Sequence, residues 1–230
     1  MQVFQIRMKL YMLSDIAADQ IQTETSKLFD QGFAKKDAML KFHERNEFKF
    51  YCFDQPYPLE KDGVYKKDKI YTVTIRTVKK ELAEYFNTVC VNEFTSKIKA
   101  LTAEIRILPK KMIETLYTLT PAILKNESGY WRDEFSIFDF EKRLKANLIK
   151  KWNQYYECKM EEDFDLYTSL EFLNGKPIAF NYKNIKLLGD KVKLHISDNK
   201  SAQDLAYFAL GTGLCEMNSR GAGFVNYRWL

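Results

Sequence analysis

The stretch GTGLCEMNSRGAGF, residues 211–224, holds four of the nine glycines in a chain of 230 residues. Glycine costs backbone entropy in a regular element, so such a cluster calls for either a sharp turn or a close approach to the backbone. Two nucleotide-binding readings fail. A Walker A loop needs Lys and then Ser or Thr after its second glycine, and no such string exists. A dinucleotide fingerprint needs a third glycine where Glu216 stands, in a loop that opens a helix. Here the order is reversed: helix, glycine loop, last strand. What remains is a run of backbone N–H groups with Asn218, Ser219 and Arg220 inside it. That is a place to hold a phosphodiester chain, or a tightly folded connection capping a sheet.

Working outward, FVNYRW after the loop separates Val225, Tyr227 and Trp229 from Asn226 and Arg228, as a strand does. Before it, Ser201-Ala-Gln-Asp204 has the form of a capping box opening a short helix to Leu210. Residues 177–188 are β-rich, and Gly189-Asp190 offers a tight turn into a strand over 191–197. The stretch 137–156 is helical, with Phe140, Leu144, Leu148, Trp152 and Tyr155 on one stripe. Residues 112–120 are strand-like. The first half has the same order. Phe4, Ile6, Met8 and Leu10 alternate; 16–30 is helical; 48–53 and 70–77 are strands; 80–94 is helical; and 98–108 places Leu101, Ala103, Ile105 and Ile107 on one face. Segments 54–68 and 125–135 carry turn residues and charge and read as loops. The expected fold is α+β: two tandem ferredoxin-like (RRM-like) β-α-β-β-α-β domains, 1–110 and 111–230. This rests on element order alone, because the halves share no sequence repeat.

Composition describes an ordinary globular chain: 46% hydrophobic, 29% charged, with 36 basic against 31 acidic side chains and a net charge of +5. That mild excess is compatible with a polyanionic partner. Cys52, Cys90, Cys158 and Cys215 lie far apart with no Cys or His neighbour at metal-binding spacing, so they read as reduced thiols. The N-terminal MQVFQIRMKL alternates where a signal peptide would be continuously apolar, and no stretch approaches a membrane span. A cytoplasmic protein without metal or cofactor is the expectation.

The glycine pattern, GTG followed seven residues later by GAGFV at the end of a doubled β-α-β-β-α-β chain, resembles the signature of the CRISPR-associated RAMP proteins. More narrowly it resembles the family of endoribonucleases that process CRISPR precursor RNA. The helix FDFEKRLKANLIKKW and the segment FHERNEFKFYCFD stand where that family places comparable features, so the likeness covers essentially the whole chain. It implies CRISPR repeat RNA as partner and a metal-independent cut giving 2′,3′-cyclic phosphate and 5′-hydroxyl ends. It leaves open other effector-complex subunits as partners, and a monomer or a homodimer.

Such a reaction needs a base for the ribose 2′-hydroxyl, a cation for the charge developing on phosphorus oxygens, and an acid for the departing 5′-oxygen. Histidine suits the proton transfers because it titrates near neutrality. Of two histidines, His195 lies on the polar side of KVKLHIS and reads as a solvated strand position. His43 ends a helix just before FKFYCF, where alternation sets Lys49 and Tyr51 on a common face. By itself a helix-end histidine is more often a surface residue. The resemblance implies His43 as the catalytic histidine and Lys49 as the electrostatic group. Some relatives add an upstream tyrosine, but Leu28 and Phe29 occupy that region, leaving Tyr51 as the candidate third group. The resemblance also has the RNA touch the loop (Gly211, Gly213, Asn218, Ser219, Arg220, Gly221, Gly223). A second candidate track is the helix face of Arg143, Asn147 and Lys150, which reads equally as solvated. Two rivals remain: a RAMP subunit that holds guide RNA without cutting, and a ferredoxin-like enzyme for a small phosphorylated ligand.

Overall fold

The computed structural model describes residues 1–230 apart from Ser128, Lys183 and Asn184. The first half runs β1 (Val3–Met12), β2 (Ile16–Ala17), α1 (Ile21–Phe33), α2 (Asp37–Glu44), β3 (Tyr51–Phe53), β4 (Val64–Tyr65), β5 (Ile70–Thr77), α3 (Lys80–Thr88) and β6 (Ile98–Leu108). Its sheet has the order β3-β5-β1-β6, while β2 and β4 pair separately. The second half runs β7 (Ile113–Thr118), α4 (Ile137–Tyr156), β8 (Tyr167–Phe172), β9 (Ile178–Tyr182), β10 (Ile185–Gly189), β11 (Val192–Ile196), α5 (Lys200–Thr212) and β12 (Val225–Trp229). Its sheet is β12-β7-β11-β8. In both sheets the first and third strands are central and the second and fourth are edges, which is the ferredoxin-like arrangement. The fold is two of these in tandem.

Helix α4 has the expected bounds because two local signals agree. Phe140, Leu144 and Leu148 form a buried stripe, with Trp152 and Tyr155 packed against the core beside them. Ser136 accepts from the Asp139 N–H while Asp139 returns a bond to the Ser136 N–H, closing a capping box. The expected box at Ser201 does not form. Asn199 is the N-cap, its side chain accepting from Ala202 N–H, and Asp204 instead pairs with Lys110 and Lys200 at 2.6 Å each. Nor is Gly189-Asp190 the turn of a β10–β11 hairpin. Strand β10 pairs antiparallel with β9, from Ile185 opposite Tyr182 to Gly189 opposite Ile178, and β11 pairs with β7 and β8. Strand β8 has no sequence expectation because none of its residues is buried.

The halves share a core. Val3, Phe50, Val78 and Leu108 from the first half belong to the same buried cluster as Leu144, Leu148, Leu205 and Phe208 of the second. Tyr207 ties them further: its hydroxyl donates to the Leu108 carbonyl at 2.6 Å and accepts from Val3 N–H at 3.2 Å. Buried Arg76 of β5 donates to the Val225 carbonyl at 2.6 Å. Gly211 is not in the loop but inside α5, where an added Cβ would stand 2.7 Å from Val78 Cγ1. Its glycine lets α5 approach the end of β5.

Candidate active site

The loop after α5 is built from the inside. Lys151 of α4 is 2% exposed, and its ammonium donates to the carbonyls of Gly213 (3.0 Å) and Cys215 (2.7 Å) and to Asn218 Oδ1 (2.6 Å). An ammonium buried without such acceptors would be very costly; even with them, burial pushes its pKa down to about 8. Asn218 Nδ2 in turn donates to the Leu214 and Ala222 carbonyls at 2.8 and 3.0 Å. Gln22 of α1 donates to the Gly221 carbonyl at 3.1 Å, and Tyr51 of β3 to the Ser219 carbonyl at 3.1 Å. The loop therefore turns its carbonyls inward around one cation and two neutral donors.

This decides what the glycines do. Gly221 and Gly223 have φ of +94° and +63°, which side chains rarely adopt. A Cβ on Gly213 would stand 2.6 Å from Asn218 Nδ2, and one on Gly223 would press on the Leu214 carbonyl. The close approach the cluster requires is the loop's own. Most of its N–H groups are also engaged, those of Leu214, Arg220, Gly221 and Ala222 within the loop and those of Glu216 and Gly223 by the Ile123 and Pro121 carbonyls. Among the described residues nothing accepts from the N–H of Asn218 or Ser219.

The loop presents Arg220 to the first half. Its Nη1 lies 2.7 Å from both carboxylate oxygens of Asp30, on α1, and its Nη2 lies 3.4 Å from His43 Nε2. Asp30 Oδ1 is also 3.4 Å from His43 Nε2. His43 stacks on Phe33 with ring centroids 5.7 Å apart and keeps 22% of its side chain exposed. Burial holds its pKa below the ordinary imidazole value; Asp30 and Glu44 oppose that shift, while Arg220 and Lys49 reinforce it. Lys49 closes the end of α2, donating to the Phe42 and Arg45 carbonyls at 2.5 and 2.6 Å, and burial lowers its pKa too.

Tyr51 and Lys49 both line the cleft between the halves, though not by strand alternation. Phe50 between them has φ +55°, which breaks the alternation, and Phe50, Tyr51, Cys52 and Phe53 are all buried. The Tyr51 phenol is pushed well above its usual pKa by burial, and its proton is given to the Ser219 carbonyl. It supports the loop from below.

Lys49, Tyr51 and Arg220 line a cleft of about 560 Å³ between the halves, and His43 lies beside it through its contact with Arg220. Six basic side chains line it, Arg45, Lys49, Lys125, Lys150, Lys151 and Arg220, against two acidic ones, Glu47 and Glu216. Asn147 and Lys150 open onto it, and among the described residues the buried Asn147 Oδ1 has no hydrogen-bond partner. Arg143 does not itself line the cleft but holds its wall: it donates to the Lys125 carbonyl at 3.0 Å, pairs with Glu216 at 3.7 Å and lies over the Phe135 ring. His195 is on the second sheet beside Glu171, away from this cluster. Asp30, Gln22 and Lys151 carry no expectation as site residues from sequence. For Lys151 a signal exists: with Leu144 and Leu148 it continues the buried stripe at helical spacing.

Residues 108–227, a little over half of the chain, match the family model described as CRISPR associated protein Cas6, C-terminal. The chain belongs to the Cas6 family. It is 23% identical over 241 residues to the CRISPR-associated endoribonuclease Cas6 2 of Methanocaldococcus jannaschii, spanning 96% of this chain and 98% of that protein. Among solved structures it is similar to a RAMP protein binding different RNA substrates, with TM-score 0.71 at 18% identity over 98% of this chain and 99% of the other. It is likewise similar to the product of a Cas6-related gene from Pyrococcus furiosus, with TM-score 0.68 at 18% identity over 98% of both chains. The resemblance read from the glycine loop thus holds for the family, and Cas6 relatives share the fold along the whole chain. No described helix of this Cas6-family chain is long and apolar enough to cross a membrane.

Proposed function

We propose that this Cas6-family chain is an endoribonuclease that cuts CRISPR repeat RNA within its precursor transcript, by attack of a ribose 2′-hydroxyl on the adjacent phosphate. The O2′–P bond closes a 2′,3′-cyclic phosphate as the P–O5′ bond breaks, and the 5′-oxygen takes up a proton and leaves as a hydroxyl. The observation that carries this reading is the meeting of His43 with Arg220, at 3.4 Å, and with the charge of Lys49, two cations that line the cleft beside it. Because burial keeps its pKa low, His43 is mostly neutral at neutral pH and can accept the 2′ proton. Arg220 and Lys49 supply positive charge where the phosphorane oxygens become negative. Tyr51, with its proton engaged and its pKa raised, is assigned to the scaffold instead of proton transfer. The first half, 1–110, contributes the histidine and the second, 111–230, the arginine. Asn147, Lys150 and the free N–H groups of Asn218 and Ser219 are the proposed RNA contacts, while Gly213, Gly221 and Gly223 shape the loop that holds Arg220.

One observation favours a second reading, an RNA-holding subunit that does not cut: in the free protein Arg220 is already neutralised by Asp30. Incubating the protein with its own repeat RNA in excess EDTA separates the two. One cut with a 2′,3′-cyclic phosphate end, lost on His43→Ala while binding survives, supports the nuclease. Tight binding with intact RNA supports the holder.

A further inference from the structure

Beside the glycine loop a second cavity lies between the halves. Its volume is about 110 Å³, and it is walled by the start of α1, residues 119–121 and β9. The two cavities are neighbours. Ser219 and Arg220 line the cleft, while Gln22, which lines the second cavity, holds the carbonyl of Gly221. Along β9, Asn181 lines the second cavity and the next residue, Tyr182, lines the cleft.

Two side chains of the second cavity lack partners of opposite kinds. Gln22 is 6% exposed, and its Nε2 donates to the Gly221 carbonyl at 3.1 Å. A carbonyl can only accept, so the amide stands with its nitrogen toward the loop and its oxygen turned from it. Among the described residues nothing donates to that buried Oε1, and a buried acceptor without a donor is costly. Lys191 has the converse lack. Its side chain is half-buried, and burial alone lowers the pKa of its ammonium, with no charged group opposing the shift. Between these two the wall is apolar, with Leu119, Pro121, Ile178 and Phe180.

We propose that this cavity reads one uracil of the RNA held in the cleft, with Gln22 Oε1 accepting from the base N3–H and the Lys191 ammonium donating to a flanking carbonyl. The proposal rests on the RNA-cutting function above. Unpaired RNA bases can be splayed out and read on their edges, and the two unmet groups select which base. An acceptor and a cation in one small cavity call for an N–H beside a carbonyl, on a flat uncharged ring that apolar walls can hold. Adenine carries no carbonyl, and cytosine has an accepting nitrogen where uracil has N3–H. Guanine offers N1–H beside O6 but needs room for two rings, and the cavity is small next to the roughly 300–1,000 Å³ of whole-ligand sites. A phosphate is disfavoured because Asp19 also lines the cavity. The same Gln22 amide holds Gly221, next to Arg220, so a base seated here bears on the loop that carries the cation.

Fluorescence anisotropy with the protein's own repeat RNA tests this, with His43→Ala in every sample so that the RNA stays whole. Each unpaired uridine is changed in turn to cytidine, which keeps the ring but exchanges N3–H and O4 for an acceptor and a donor. One position should lose about tenfold in affinity. Gln22→Ala and Lys191→Met should each weaken binding of the unchanged RNA and no longer distinguish uridine from cytidine at that position. Lys191→Met keeps the Gln22 bond to Gly221, so its result does not depend on a loosened loop. Affinity indifferent to every uridine overturns the proposal and leaves the nuclease function standing. A Lys191→Met loss that is equal for all of these RNAs does the same. If the unchanged RNA does not bind tightly at all, the nuclease function fails and this proposal with it.

Discussion

At the residue scale the chemistry turns on Asp30. Its carboxylate holds Arg220 through both oxygens and lies 3.4 Å from His43, so it touches the base and the cation of the proposed reaction together. The groups facing His43 have opposing signs, Asp30 and Glu44 raising its pKa against burial, Arg220 and Lys49. Asp30→Asn removes the strongest opposing group, so the acid limb of the kcat/KM profile should move to lower pH, and Arg220, no longer anchored, should raise KM. An acid limb that stays in place would remove Asp30 from this role; NMR titration of the His43 ring reads the same shift independently of cleavage. In the wild type the limb should lie below about pH 6.5, the usual imidazole value. The sign for stability follows from the same shift. A histidine whose folded pKa is depressed binds its proton more readily when unfolded, so its contribution is full above the unfolded pKa and is lost as pH falls through the folded one. His43 and Lys49 were legible in the sequence because they lie close together along the chain at a helix end. Arg220 was legible as a loop cation but not as a neighbour of His43, which is 177 residues away.

At the element scale the glycine loop decides the geometry. Its glycines answer to packing: φ is positive at Gly213, Gly221 and Gly223, and each would drive a Cβ into the loop or into Gln22. Gly63 also has positive φ, +71°, but nothing within 4 Å of an added Cβ. Gly63→Ala should therefore cost only the left-handed backbone preference, about 1–2 kcal/mol. Gly223→Ala adds a clash with backbone and should cost more, and urea midpoints of the two variants compare them directly. Beneath the loop, Lys151→Met leaves two carbonyls and Asn218 Oδ1 buried without their donor. A loss of about 3 kcal/mol is expected, with cleavage falling because Arg220 is no longer held. If Lys151→Met proves neutral in stability, the inward carbonyls are satisfied some other way. The spacing of α4 showed its buried stripe, and Lys151 sits on that stripe; a lone positive charge there reads as surface until the acceptors around it are known.

At the scale of the whole molecule, a shared core cluster joins the halves and the cationic cleft runs between them. All three tryptophans, Trp131, Trp152 and Trp229, belong to the second half, whereas backbone circular dichroism reports both. Because Val3, Phe50 and Val78 complete the second half's core, the two signals should give coincident denaturation curves. Separated transitions would mean that the shared cluster does not couple the halves. The net charge of +5 is modest, but the cleft concentrates six cations against two carboxylates. The logarithm of the RNA binding constant should fall linearly with the logarithm of salt, and Lys150→Glu should weaken binding and reduce that slope by about 1 if this ammonium meets a phosphate. An unchanged slope would leave Lys150 as a solvated charge.

Apolar spacing and capping residues are local quantities, and by themselves they set the doubled β-α-β-β-α-β order, the bounds of α4, a helix end at His43 (α2 closes one residue later, at Glu44) and the glycine loop before the last strand. Strand β8 and the β9–β10 pairing escaped because their alternation is weak and their partners are distant in the chain. The tertiary structure alone decided the rest: that the carbonyls of 213 and 215 face Lys151, that Phe50 takes φ +55° and turns Tyr51 inward, and that Asp30 meets Arg220 across 190 residues. Periodicity in a sequence records which face of an element is buried. Which side chains then meet over that face depends on how the first half closes over its own core and joins the cluster it shares with the second.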